Sequence, residues 1–403
     1  MNALLLLGSL VLTVPGPLQA GAATSNITPP LGTRIVGGFV PYPAEHIHDE
    51  LHARCLVLDD GQTRLALVVC DLLGLHRSVG VEARRLIEKE AGIPPQNMLI
   101  SATHTHSAGT ALGHNRYANE QELDDYQRFV ARRIADGVRR ASNLLRPAEI
   151  AFTRVDVPEQ VHNRRWLMRE GTVPPNRFGK IDRLNPRGSR VPYQRMREVA
   201  EDVAGKVQAA LDNIPSWQDH VTLDARSREL RLDWRTVEPE LLEWAKAVEA
   251  RAPRVPGGDV PVGAKFATER DWVQRLSYAG RIQLLAEAKG PALVPVQMLR
   301  IGDIAIGTSP CETFAEIGLD FTHRSPLPHS FIVSLAHGYI GYLPTPRHFE
   351  LGGYETWPGT NYLEPEASVK MLDTLIEITA ELAPQDKPAA FDAALSGLNE
   401  RSF

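Results

Sequence analysis

The stretch from Leu65 to Ser101 constrains the fold more than any other part of the chain. Leu65 to Val69 is an apolar run that closes at Asp71, and it reads as a strand. Val81 to Ala91 then has helical spacing and stops at Gly92 with Pro94 beyond, the usual signature of a helix C-terminus. Met98 to Ser101 is a second short apolar run. Strand, helix and strand at these separations predict a βαβ unit. Residues just past the second strand then lie at its C-terminal end, where ligands collect in open α/β sheets.

That end of the strand carries His104-Thr105-His106. In an extended strand, residues two apart point to one face, so the two imidazoles are expected to converge. A metal ion or a reacting carbonyl would account for such a pair. Two half-buried histidines bonded to their neighbours would account for it equally well.

The remaining pattern extends this unit. Cys55 to Leu58, Asp59-Asp60-Gly61-Gln62 and Leu65 to Val69 read as a hairpin with an Asp-Gly turn. Glu122 to Leu145 and Met196 to Leu211 are amphipathic helices, the first with Phe129, Ile134 and Val138 on its apolar stripe. Pro239 to Ala250 and Ala367 to Leu382 are also helical. Val296 to Leu299 and Ile304 to Ile306 form a second hairpin about Gly302-Asp303, and Phe331 to Leu335 is a further strand. Arg169 to Pro192 and Pro253 to Gly263 are Pro- and Gly-rich loops. The expected class is α/β (or α+β), with mixed β-sheets flanked by helices in a single large catalytic-type domain.

A chain of 403 residues, 43% hydrophobic, can bury a large core, and a formal net charge of -5 offers no basic footprint for nucleic acid. Ala3 to Val14 is a near-continuous apolar run too short to span a bilayer, followed by Pro15, Pro17 and Ala20-Gly21-Ala22. That pattern reads as a cleaved secretory signal over residues 1–23, implying a secreted or periplasmic protein, although no Lys or Arg precedes the run. The competing reading is an ordinary buried N-terminal segment. No later run reaches transmembrane length. Cys55, Cys70 and Cys311 are too few for a disulfide framework.

Polar groups come after apolar strands at three places: His104 with His106, Glu312, and Tyr342 with Tyr354. Zinc draws its ligands from His, Asp, Glu and Cys, and a zinc-bound water ionises near neutral pH. A site of that kind could use Arg164 against a developing oxyanion. Each residue also has a structural reading: Glu312 as the partner of an Arg, the tyrosines as core aromatics, Asn163-Arg164-Arg165 as a surface turn.

Taken in order, these segments resemble the catalytic domain of the neutral/alkaline non-lysosomal ceramidases. The resemblance is carried by Ile27-Thr28-Pro29-Pro30, His48-Asp49, Leu58 to Gly61, Asp71 to Leu75, Leu99 to Ser107, Asn163-Arg164, Pro310 to Phe314 and Gly338 to Glu355. It implies a zinc-dependent amidohydrolase in which a metal-activated water splits the N-acyl bond of a small-molecule or lipid amide. It further implies His104, Glu312 and Tyr342 as zinc ligands, with His106, Arg164 and Tyr354 as catalytic residues around them, and an orienting role for Asp71. Cys311 stands where the family shows Gly, and His337 where it shows Asn. A segment that carries a further histidine ligand in the family has no counterpart between Asn185 and Pro192, leaving His162 as the nearby substitute. The expected organisation also lacks the family's C-terminal β-sandwich domain. The alternative is therefore an inactive exported relative that keeps the fold.

Overall fold

The computed structural model describes residues 15–38, 41–115, 117–161, 165–167, 184–186, 194–251 and 267–384. Its first sheet is built on the hairpin and the βαβ unit. Gln19–Asn26 (β1), His52–Asp59 (β2), Arg64–Cys70 (β3) and Met98–Ala102 (β4) lie in the order β4-β3-β2-β1, with Arg146–Pro147 on the far edge. The hairpin pairs antiparallel and β3 pairs parallel with β4, Val68 opposite Ile100. Asp60 fixes the turn: its Oδ1 accepts the backbone N–H groups of Gln62 (2.9 Å) and Thr63 (2.7 Å). Arg77–Ala91 (α1) runs between β3 and β4 and ends where Gly92 takes a left-handed φ of 66°. Asp125–Asn143 (α2) opens on a capping box formed by Asp124 and Gln127.

Gln194–Asp212 (α3), Pro239–Ala250 (α4) and Ala267–Ala286 (α5) accompany the second half, in which α4 and α5 pack on one another around Tyr278 and Ile282. The second sheet comprises Leu223–Leu232 (β5), Ala292–Ile301 (β6), Ile304–Thr308 (β7) and, beyond the two-residue strand Glu312–Thr313 (β8), His329–Val333 (β9). Its order is β5-β6-β7-β9. Tyr342–Leu343 (β10) pairs parallel with β8. Ala315–Arg324 (α6), Pro346–Leu351 (α7) and Ala367–Leu382 (α8) complete eight α-helices among the described residues.

Alternation along the strands stacks these parts into four layers, helix, sheet, sheet and helix. In β3, Ala66, Val68 and Cys70 face the core shared with α1 and α2, while Leu65 and Leu67 face the other sheet. Leu58, Leu65 and Leu99 of the first sheet bury themselves against Leu223, Leu299 and Ile306 of the second. Each such side chain contributes about 1.5–3 kcal/mol by leaving water. The outer face of the second sheet is covered by α6 and α8 through Phe321, Met371, Leu375 and Ile378. The result is a mixed α/β fold with no closed barrel, as the sequence class predicts.

A three-residue strap ties the two sheets at one end. His337 N–H donates to Ile100 O (2.8 Å) and Ala102 N–H donates to Leu335 O (3.2 Å), which extends the edge of β4. On its other side the strap bonds to the segment before β8: Ala336 N–H to Ser309 O (2.9 Å) and Leu335 N–H to Cys311 O (3.3 Å). These bonds put the end of β4 and the start of β8 side by side.

Two of the long strands are not legible in the sequence. Ala20-Gly21-Ala22, which resembles the small-residue end of an export signal, lies in the middle of β1, which pairs with β2 from Gln19–Asp59 to Asn26–His52. A cut after Ala23 would remove more than half of that strand. β5 has charged residues on alternate positions and no long apolar run. Residues 1–14, the loops expected between Arg169 and Pro192 and between Pro253 and Gly263, and the shortened region near 185–192 lie wholly or mostly outside the described residues.

Candidate active site

The chain does not keep its histidines on an extended strand. β4 ends at Ala102, and His104 takes a positive φ of 59°, which a non-glycine residue adopts only under strong local constraint. The constraint is visible: His104 Nδ1 bonds to Leu73 O at 2.7 Å. With a carbonyl as partner, Nδ1 carries the proton and donates, which turns Nε2 toward β8. His106 sits in the turn beyond, and its ring meets that of His104 edge-on at 4.8 Å. The two imidazoles do come together, but through a turn rather than through strand alternation. That approach requires Gly37, where a Cβ would lie 2.4 Å from His106 O.

β8 delivers the acid. Glu312 Oε2 lies 3.4 Å from His104 Nε2, and both side chains are largely shielded. Tyr339 donates its hydroxyl to Glu312 Oε1 at 2.8 Å and stacks over His104 with 6.0 Å between ring centroids. Tyr342, register partner of Glu312 in the parallel β8–β10 pair, also bonds the carboxylate through its phenol. Tyr342 meets Tyr354 edge-on at 5.8 Å. A pocket of about 90 Å³ is lined by His104, His106, Glu312, Tyr342 and Tyr354 together. Five of the six residues nominated from the sequence therefore share one cavity. Arg164, with Asn163 and His162, lies outside the described residues.

The electrostatics derive from the pairing. Burial works to lower the His104 pKa, but the hydrogen bond and charge of Glu312 outweigh it and hold the imidazole above its ordinary value. Burial works to raise Glu312, but the bonds from His104 and Tyr342, the His104 charge and the bond from Tyr339 together hold the carboxyl below its usual range. The pocket thus contains an ionised acid against a readily protonated imidazole, ringed by phenols.

Other nominated residues are placed elsewhere. Asp71 accepts the backbone N–H of His52 (3.0 Å) and pairs with Arg54, so it orients the edge of β2 and not the pocket. Cys311 is fully buried, its thiol pushed up to about 12 by that burial, and it packs in the core of the second sheet. His337 lies on the far side of the strap, bonded to Gln297 and Arg84. Both positions depart from the family pattern toward residue types that can bind a metal, and neither lines the pocket.

Reasoning from the sequence misses Tyr339 and Arg281, which also line the cavity. Tyr339 falls inside the Gly338 to Glu355 segment, but nothing in its spacing separates it from a core aromatic. Arg281 comes from α5, a helix the sequence does not announce, and donates to Gly359 O (3.3 Å) at the pocket wall. Arg165, beside the expected Arg164, donates to Gly352 O and lies 3.7 Å from the buried Glu355, bracing the turn that carries Tyr354.

The donor set can be tested against zinc. A catalytic zinc takes three protein ligands, drawn from His, Cys, Asp and Glu. Here the imidazoles of His104 and His106 share the pocket with the Glu312 carboxylate and the Tyr342 phenol, but no group of three His, Cys, Asp or Glu placed to hold a metal ion occurs among the described residues. The described residues therefore do not complete a zinc centre.

No protein-family profile matches the sequence, and no curated protein sequence matches it. Solved structures do. The neutral ceramidase from Pseudomonas aeruginosa superposes with a TM-score of 0.59 at 16% identity, over 91% of this chain and 74% of that one. A ceramidase complexed with C2 gives a TM-score of 0.59 at 15% identity, over 94% of this chain and 77% of that one. The chain has a neutral ceramidase-like fold.

Proposed function

We propose that the pocket is the working site of a ceramidase-like hydrolase that splits an N-acyl amide, of a lipid or a smaller compound. The observation that carries this reading is the Glu312–His104 pair, enclosed with Tyr339, Tyr342 and Tyr354 in one cavity. An ionised carboxylate can take a proton from an attacking water, and a protonated imidazole can return one to the departing amine. Phenolic hydroxyls lining the cavity, Tyr354 among them, can donate to the carbonyl oxygen as it gains charge. His106 packs edge-on against His104 in the same cavity. The ceramidases of similar fold support the choice of an amide bond.

The proposal has a metal form as well: His104, Glu312 and Tyr342 would hold zinc, which would supply a water of lowered pKa in place of the acid–base pair, with Arg164 as a further contact to substrate. The described donor set is one ligand short, which favours a second reading: an exported relative that keeps the fold and no longer turns over. Elemental analysis together with a panel of fluorogenic N-acyl amides separates the two. Amide cleavage abolished by Glu312→Gln supports the hydrolase. Folded protein with neither cleavage nor zinc supports the inert relative. Export is proposed as well, with any leader ending ahead of β1. N-terminal sequencing of protein recovered outside the cytoplasm tests it, and a mature terminus inside β1 would contradict it.

A further inference from the structure

On the other side of the strap, a second cleft of about 390 Å³ opens between α1 and the strands β5 and β6. It shares no lining residue with the candidate active site. Its size falls in the range of small-molecule sites. At its base lie Arg84, His337 and Gln297.

The hydrogen bonds in this base fix the charge of each group. The Gln297 amide nitrogen donates to Gln96 O (2.6 Å) and Met98 O (3.3 Å), so its Oε1 must face His337. His337 Nε2 lies 2.9 Å from that oxygen and therefore carries the proton, leaving Nδ1 as an acceptor for a terminal N–H of Arg84. His337 is thus neutral, and burial with the nearby Arg84 charge keeps its pKa well below the ordinary value. Arg84 bonds to neutral acceptors, this ring and Met98 O (3.5 Å).

Three of the other charged groups of the cleft are matched, while Glu88, one turn along α1 from Arg84, has no ion pair among the described residues. Arg85 pairs with Glu82, Arg228 with Glu377 and Glu381, and Glu229 with Arg77. Arg84 has no carboxylate partner among the described residues, and a shielded cation in that state is costly unless something answers it. Burial has already pushed its pKa down to about 10.

We propose that this cleft binds a monocarboxylate with a short aliphatic chain, its carboxylate seated on Arg84. A guanidinium presents parallel N–H donors that match a carboxylate. Val81, Pro95, Pro295 and Val296 supply apolar walls for the chain. Glu88 and Glu229 line the same cleft and oppose any anion in proportion to its charge, which disfavours dianionic phosphate more than a monocarboxylate. The inference stands apart from the hydrolase reading.

Calorimetric titration of the full chain with sodium hexanoate tests it, with 1-hexanol and inorganic phosphate as the other arms. The expected result is saturable one-site binding of hexanoate, and none of hexanol or phosphate. Arg84→Met should weaken hexanoate by about tenfold or more, the effect of losing a charge-assisted contact. Val81→Glu adds a negative charge at the cleft from a residue already 52% exposed, and should weaken binding without disturbing the fold. If Arg84→Met fails to fold, Val81→Glu decides alone. Absence of saturable hexanoate binding, hexanoate affinity unchanged in the folded variants, or phosphate binding as tightly would overturn the proposal.

Discussion

Glu312 and His104 hold each other in opposite charge states, which gives the pocket a pH signature. The Glu312 carboxyl is held below its ordinary 4.5, so its contribution to stability is present above that value and lost as pH falls through the folded-state pKa. The His104 imidazole is held above its ordinary 6.5, so its contribution is complete below that value and lost as pH rises through the folded-state pKa. The stability difference between the native chain and His104→Asn should be largest between pH 4.5 and 6.5 and shrink on both sides. Urea midpoints measured across that range test this, and a flat difference would show that the pair is not coupled. Tyr339→Phe should raise the Glu312 pKa, because one of the bonds holding the carboxylate is gone. Its cost to stability should be about 1.5–3 kcal/mol at most, the range for a hydrogen bond to a charged group. Carbon-13 NMR of the labelled carboxyl would report the shift. The sequence can nominate His104, Glu312, Tyr342 and Tyr354 because each comes after an apolar run. It cannot say that a turn, rather than strand alternation, aims the imidazoles, since that depends on the Leu73 carbonyl and the space left by Gly37.

The elements show why some strands are legible and others not. β3, α1 and β4 announce themselves through apolar period and the Gly92 stop, all of them local signals. β1 is made of small residues because α2 lies directly on it: a Cβ on Gly21 would sit 2.1 Å from the Ala141 carbonyl oxygen. Small residues chosen for close approach look, in one dimension, like those chosen for a processing site. β5 hides for another reason, with Asp224, Arg226 and Arg228 interrupting its apolar positions. Gly21→Val should destabilise by about 1–3 kcal/mol through overpacking, although valine itself favours strands. Thermal unfolding measures it, and an unchanged midpoint would mean that β1 is not pressed against α2.

Across the whole molecule, the two sheets adhere through a leucine-rich interior and through Asp60. Besides closing its own hairpin, that buried carboxylate accepts the Leu223 N–H with Oδ2 at 2.9 Å, so one side chain serves both layers. Asp60→Ala should cost about 2–5 kcal/mol, since it strands three backbone donors at once. Leu299→Ala, deep in the same interior, should cost a similar 2–5 kcal/mol. Denaturant titrations check both, and a loss below about 0.5 kcal/mol, the scale of an ordinary surface change, would argue against tight apposition of the sheets. None of this cross-layer contact is visible in the sequence, because periodicity identifies a face but not its partner.

The strap Leu335-Ala336-His337 governs how the cavity comes into being. Its acid and its imidazole arrive from distant parts of the chain and become neighbours only when that short piece is bonded on both flanks. A half-assembled chain, with either layer correct on its own, would present no acid–imidazole pair at all. Recovery of the His104 titration during refolding would therefore clock the docking of one layer on the other, and would lag behind the return of helix and strand signal.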